Sequence, residues 1–314
     1  MSSFSVICLF VALFTASQAT EISRGYSAKL EFDDVKSSNE LLGEHKAQSL
    51  CACSAMCQKN CGLFGYNPNL MSCRTHKKIF TSEMSNETGW RYYSHHFSPF
   101  DCKDLLENGQ TSSGVYAIYP YGTGSLPVNA YCDMEIEGGG WTAIQKRVDG
   151  SIRFDRNWTE YKNGFGDPER DVWIGNDVIH QLTRGKNSSL YVSIKLSQGG
   201  YRQLYELYER FSISNESEKY KLFLGGNATG TLGESMINTG NPYHNLSGMY
   251  FTTLDSDNDE WSAGNCASGG WWFNSCHLAF LNGFWRFKGW QYPWYPHVND
   301  GRYVTETMML IKRH

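Results

Sequence analysis

The sequence predicts an exported chain of two globular domains that mix helix and strand and are stapled by disulfides. Three observations predict it. The 314 residues suffice for about two domains. The cysteines fall into two groups, Cys51, Cys53, Cys57, Cys61 and Cys73, then Cys102, Cys132, Cys266 and Cys276. The chain opens on an apolar run, Val6 to Phe14, followed by small residues at Ser17-Gln18-Ala19, the pattern of a leader removed on export.

Residues 1–19 are therefore expected to leave as a signal peptide, giving a secreted, extracellular chain. The apolar run is too short to span a bilayer, and no later segment qualifies. Six Asn-x-Ser/Thr sequons, at Asn86, Asn157, Asn187, Asn215, Asn227 and Asn245, agree with export and are expected glycan sites. Charged residues make up 19% of the chain and aromatic ones 15%, and the net charge is −4. That balance gives no basic field for nucleic acid and no polybasic run for a membrane surface. Of ten cysteines, Cys8 departs with the leader, so nine remain and one lacks a partner within the chain.

The first domain is placed at residues 20–97. Gln48 to Asn60 has few turn formers and reads as a helix, on which Cys53 and Cys57 share a face at i and i+4. Phe64-Gly65-Tyr66-Asn67 alternates as a strand and leads to Cys73. This segment resembles the PAN/apple module, a small disulfide-rich α+β domain, through Cys53, Cys57, Cys61, Phe64, Tyr66, Asn67 and Cys73. The resemblance implies Cys53–Cys73 and Cys57–Cys61 bonds. It leaves Cys51 as the candidate odd thiol, available to link two copies of the chain. A zinc cluster of these cysteines with His76 is the alternative, which an oxidising compartment disfavours.

Ser94 to Pro99 reads as a linker, and the second domain is placed at residues 98–314. Val115 and Ala117, like Trp141 and Ala143, alternate with their neighbours as half-buried strands do. Further on come Gly138-Gly139-Gly140-Trp141, Trp158, Tyr161-Lys162-Asn163-Gly164-Phe165-Gly166 and Trp173-Ile174-Gly175-Asn176. The acidic run Asp255-Ser256-Asp257-Asn258-Asp259 follows, then Asn265-Cys266 and Trp271-Trp272-Phe273-Asn274-Ser275-Cys276-His277. Alternating carboxylates on a turning loop converge on one point that a hard, oxygen-seeking cation can fill. The alternative is a solvated acidic loop whose carboxylates cap turns.

This string resembles the fibrinogen C-terminal domain, the head of ficolins, tachylectins, angiopoietins and fibrinogen. The resemblance implies an α+β fold with a central, mostly antiparallel sheet and Cys102–Cys132 and Cys266–Cys276 bonds. Each such loop closure would contribute about 2–4 kcal/mol. It also implies Ca2+ held by Asp257 and Asp259 with the carbonyls of Trp261 and Ala263; counting back from Cys266 gives Ser262 and Gly264 instead. Ficolin-like members grip an acetyl oxygen with the N–H groups of Cys276 and His277, after a cis Ser275–Cys276 peptide. Their usual tyrosines are missing here. The run from Phe284 to His297 offers seven aromatic rings in their place, and Trp290, Tyr292 and Trp294 are the candidates to close the pocket.

The functional expectation is a calcium-dependent lectin for acetylated glycans, such as N-acetylglucosamine-bearing surfaces, of the innate-immune or venom type. The alternative is a protein-binding or adhesive ligand whose partner is a cell-surface or extracellular protein. Catalysis is not expected, since neither His-Glu-x-x-His nor Gly-x-Ser-x-Gly occurs.

Overall fold

In the computed structural model the described residues are 5–8, 24–28, 34–37, 41–57, 61–77, 84–95, 98–122, 125–197, 200, 202–237, 240–285, 293–298, 300 and 303–314. The chain divides into two compact units, Met1–Ser98 and Pro99–His314.

The first unit holds β1 (Ser5–Cys8), β2 (Arg24–Ala28), β3 (Val35–Ser37), β4 (Leu41–Lys46), α1 (Leu50–Met56), β5 (Leu63–Asn67), β6 (Ser72–His76), β7 (Met84–Asn86) and β8 (Arg91–His95). Six of the strands form one sheet in the order β1-β2-β8-β5-β6-β4, and β3 pairs with β7. The α1 helix is shorter than the sequence predicts. Ser49 caps it by accepting the Ala52 N–H at 3.1 Å, and Cys57 already lies outside helical geometry. Cys57 bonds Cys61, and Cys53 bonds Cys73 of β6, fastening the helix to the sheet. Cys53, Cys57, Phe64, Cys73 and Tyr93 form the small core between them.

Ser5–Cys8, inside the expected leader, pairs antiparallel with Arg24–Ala28; Val6 and Ile7 are β-branched and suit a strand. The expected cleavage positions lie outside the described residues. Cys51 is disulfide-bonded, and no described cysteine is free. The odd thiol that was to join two chains is therefore absent.

The second unit begins with α2 (Cys102–Glu107), β9 (Gly114–Ile118), β10 (Val128–Asp133) and β11 (Trp141–Arg147). It continues through α3 (Trp158–Asn163), β12 (Phe165–Gly166), β13 (Val172–Trp173), α4 (Asn176–Thr183), β14 (Ser188–Leu196), β15 (Arg202–Ile213) and β16 (Leu222–Gly230), and closes with β17 (Val304–Arg313). Its antiparallel sheet runs β12-β13-β11-β17-β14-β15-β16, with β10 on β11 and β9 on β10. The Cys102–Cys132 bond ties α2 to β10. Few helices beside a large antiparallel sheet make this the α+β fold expected.

The strand faces differ from the forecast. On β9 the inward residues are Tyr116 and Ile118, while Ala117 is exposed. Both phases of this strand are apolar, so alternation alone does not choose between them. β11 is buried on both faces: Ile144 enters the main core, while Trp141 and Ala143 pack on Tyr191, Met308 and Leu310.

The main core is aromatic. Tyr161, Trp173, Phe251, Trp271 and Trp272 are fully buried, and Phe251 meets Tyr161, Trp173 and Trp272 at centroid distances of 5.1–5.9 Å. Such contacts add about 0.5–1.5 kcal/mol each beyond area burial. Phe251, Trp271 and Trp272 flank the acidic loop in sequence and anchor it to this core.

Candidate functional site around the acidic loop

Asp, Asn and Ser dominate the acidic loop, and their short polar side chains substitute for a backbone ladder. Two isolated bridges, Thr252 with Trp271 and Thr253 with Ser256, start a tight turn. Asn258 fastens it from within. Its amide donates to the carbonyls of Phe251 (2.9 Å) and Ser256 (3.2 Å), and its N–H donates to Thr252 Oγ1 at 3.1 Å. Asn265 closes the far side by donating to the Thr253 carbonyl at 3.0 Å.

The three carboxylates then separate into two roles. Asp255 faces α3: one oxygen accepts from the Trp158 N–H at 2.9 Å and from Thr253 Oγ1 at 2.7 Å. Asp259 faces the disulfide loop, accepting from the N–H groups of Cys266 and Trp261, both at 2.9 Å. Asp257 Oδ1 is 3.4 Å from the Asp259 N–H. Burial raises the Asp259 carboxyl above its ordinary value; the Cys266 and Trp261 N–H groups lower it, and the Asp257 charge raises it again. Asp257 and Asp259 thus stand as neighbouring like charges that a cation would relieve.

Among the described residues no third Asp, Glu, His or Cys joins them as a metal cluster. A cation there needs backbone oxygens. The Trp261 carbonyl accepts the Gly264 N–H at 3.4 Å, while none of the loop's hydrogen bonds ends on the carbonyls of Ser262, Ala263 or Gly264. Two carboxylates with free carbonyls alongside are a donor set that fits calcium.

The Cys266–Cys276 bond fixes the base of the loop, and the Ser275–Cys276 peptide is cis. Glu260 N–H donates to the Asn274 carbonyl at 3.3 Å on one side, and Ser275 N–H donates to the Tyr243 carbonyl at 3.1 Å on the other. His277 lies edge-on to Phe273 and Phe280, with centroids at 5.5 and 5.0 Å. Neither ring nitrogen has a hydrogen-bond partner, and burial, helped by the His244 charge, pushes its pKa down to about 4. It is neutral at physiological pH and packs as a ring against the two phenylalanines.

The expected aromatic wall is corrected at Trp294. That ring is fully buried, its indole N–H donates to the Gly233 carbonyl at 2.5 Å, and its backbone pairs with Val298. It has no face to offer a ligand. Trp290 and Tyr292 lie outside the described residues. The sequence reasoning missed a different exposed set around the loop: Tyr243 (66% exposed), Leu254 (56%) and Trp261 (43%). Their signal was weak, since each stands alone among polar neighbours. Of the sequons, Asn86, Asn157, Asn187, Asn215 and Asn227 are exposed and Asn245 is half-buried.

Residues 98–305 match the family model for the C-terminal globular domain of fibrinogen beta and gamma chains. Human fibroleukin is 44% identical over 186 residues, which is 58% of this chain and 41% of fibroleukin, so the chain spans about two-fifths of that relative's length. The fibrinogen-like globe domain of human ANGPTL2 superposes with a TM-score of 0.60 at 35% identity, over 68% of this chain and 98% of that one. A lamprey fibrin D-dimer, complexed with the peptide Gly-His-Arg-Pro-amide, gives 0.60 at 30% identity, over 69% of this chain and 74% of that one.

These relatives correct the functional expectation. They are fibroleukin, an angiopoietin-like globe domain and a peptide-bound fibrin, and they favour the protein-ligand alternative over the ficolin-type lectin for acetylated glycans. The loss of Trp294 as a pocket wall points the same way. From the sheet, the disulfide-based loop and the match across residues 98–305, the chain belongs to the fibrinogen C-terminal globular domain family.

Proposed function

We propose that this is a secreted, non-enzymatic recognition protein whose fibrinogen-like unit binds an extracellular protein partner at the surface around the acidic loop. The observation that carries the proposal is the placement of exposed Tyr243, Leu254 and Trp261 on backbone that is pinned from within. Aromatic side chains on rigid supports are typical anchors of protein interfaces. The peptide held by the lamprey fibrin relative adds support. The first unit supplies a PAN/apple-like module, fastened by Cys53–Cys73 and Cys57–Cys61.

Calcium belongs to this proposal. Asp257 and Asp259 would hold it, with carbonyls from the Trp261–Gly264 turn. When bound, the ion would neutralise the two carboxylates and stiffen the loop. Titration calorimetry checks this: Asp257→Ala and Asp259→Ala are each expected to lose calcium binding, and unchanged affinity in both overturns the assignment.

The partner surface is tested by screening the full chain, in calcium, against a panel of extracellular proteins. A Tyr243→Ala/Trp261→Ala variant should lose about 2 kcal/mol or more of binding to any partner found. A folded double variant that binds equally well rules this surface out.

A further inference from the structure

A second surface of the fibrinogen-like unit carries chemistry that the acidic loop does not use. A groove of about 760 Å³ lies between the end of α4, the end of β15 and the start of β16. Arg184, Lys186, Lys221 and His180 line it, and no described lining residue is Asp or Glu. This contrasts with a chain whose acidic residues outnumber its basic ones, 32 to 28.

Several other cations of the unit have carboxylate partners. Lys162 pairs with Glu216, Lys195 with Glu306, Arg170 with Asp149 and Arg313 with Asp101. Arg184, Lys186 and Lys221 enter none of the ion pairs among the described residues. Two of them are nevertheless positioned. Lys186 Nζ sits 4.4 Å from the Phe100 ring centroid, and Lys221 Nζ sits 5.2 Å from that of Tyr250. Aromatic faces hold these ammonium groups without neutralising them. His180 Nδ1 lies 2.9 Å from the Ile213 carbonyl, to which it donates, leaving Nε2 as its remaining polar atom.

We propose that this groove binds a sulfated polysaccharide of the glycosaminoglycan type. Unneutralised, fixed positive charge calls for an anionic ligand. The choice between a saccharide and an acidic peptide follows from the backbone. β16 is the terminal strand of the sheet, the ordinary place for a peptide to add a strand. Within the groove that edge is already occupied. Leu222 N–H donates to the Met249 carbonyl at 2.9 Å, and the Leu222 carbonyl accepts the Gly248 N–H at 2.8 Å. Ser247 Oγ engages both the N–H and the carbonyl of Leu224. That stretch of β16 is therefore closed to an added peptide strand, whereas the charges suit sulfates. Phe223, 53% exposed at the rim, offers a face for the C–H side of a sugar ring. This site uses neither calcium nor acetyl recognition.

The test uses the full chain as secreted, with Asn187→Gln run beside it because that sequon lies on the groove's lining. The probe is a heparin oligosaccharide. Binding is expected at about 0.1 M salt, where unpaired surface charges still act over roughly 10 Å. Chelator should leave it unchanged, and an unsulfated chain of equal length should not bind. The variant Arg184→Ala/Lys186→Ala/Lys221→Ala should bind about tenfold more weakly or worse, with the slope of log affinity against log salt shallower by about three. Phe223→Ala, which alters no charge, should weaken binding without changing that slope. The proposal is overturned if the parent chain ignores heparin or if the folded triple variant matches it. It is equally overturned if polyglutamate of the same charge competes as well as heparin, an outcome that would install an acidic protein segment in the groove.

Discussion

The acidic loop and the basic groove of the fibrinogen-like unit handle like charges in opposite ways. In the loop, Asp257 and Asp259 are drawn together, and the N–H groups of Trp261 and Cys266 point at Asp259 from within. In the groove, Lys186 and Lys221 are held on separate aromatic faces with no carboxylate between them. Crowded carboxylates on an inward hydrogen-bond frame suit a small ion seated in the loop. Cations spread along an open groove suit a long ligand laid across it. The same unit can therefore use one charge cluster to stiffen a loop and offer the other to an extended ligand.

The strongest way to break this comparison is to remove the loop's internal fastener. Asn258→Ala deletes the amide that serves the Phe251 and Ser256 carbonyls. Phe251 is fully buried, so its carbonyl would be left without a replacement donor. The expected loss is about 2–4 kcal/mol, read as a lower denaturant midpoint with an unchanged slope. Asn258 itself is not among the residues lining the groove, so heparin binding by the folded fraction should persist. A variant of normal stability would mean the loop is not built on Asn258.

A smaller effect comes from pH. His277 has its pKa lowered from 6.5 to about 4. Between those values the unfolded chain binds the proton that the folded chain excludes. Stability is therefore full above pH 6.5 and falls as the pH drops towards 4, by about 3 kcal/mol in all from this group. Denaturant midpoints measured across that window should fall steeply for the parent chain and less steeply for His277→Phe. His244 is the other titratable group that bears on His277, and it remains in both chains. Parallel curves would show that His277 is not excluded from protonation.

What was legible follows from how far apart the contributing residues lie. Asp257, Asp259, Cys266 and Cys276 fall in one short run, so their pattern and its family resemblance could be seen together. The basic groove draws on four separated segments, around His180, Ser212, Lys221 and Ser247, and no local pattern announces it. Trp294 was misassigned because an aromatic run carries no information about which ring is buried. The inward face of β9 was misjudged because Val115 and Tyr116 are both apolar. The end of α1 at Cys57 was overrun because the next residues contain no Gly or Pro to stop it before Gly62.

The smallest predicted effect separates the three carboxylates of the loop. Asp255 accepts from the Trp158 N–H at the first position of α3, at 2.9 Å, and from Thr253 Oγ1 at 2.7 Å. Neither bond points towards Asp257 or Asp259. The Trp158 N–H lies at an exposed contact, so water can replace the carboxylate there. Asp255→Ala should therefore cost only about 1 kcal/mol, as for the loss of a helix cap. Its calcium affinity should stay at the parent value, whereas Asp257→Ala should lose binding. Running both variants through the same calorimetric titration and the same thermal melt sharpens the division of roles. Calcium binding lost as fully in Asp255→Ala as in Asp257→Ala would place Asp255 at the ion and overturn the assignment made from its hydrogen bonds.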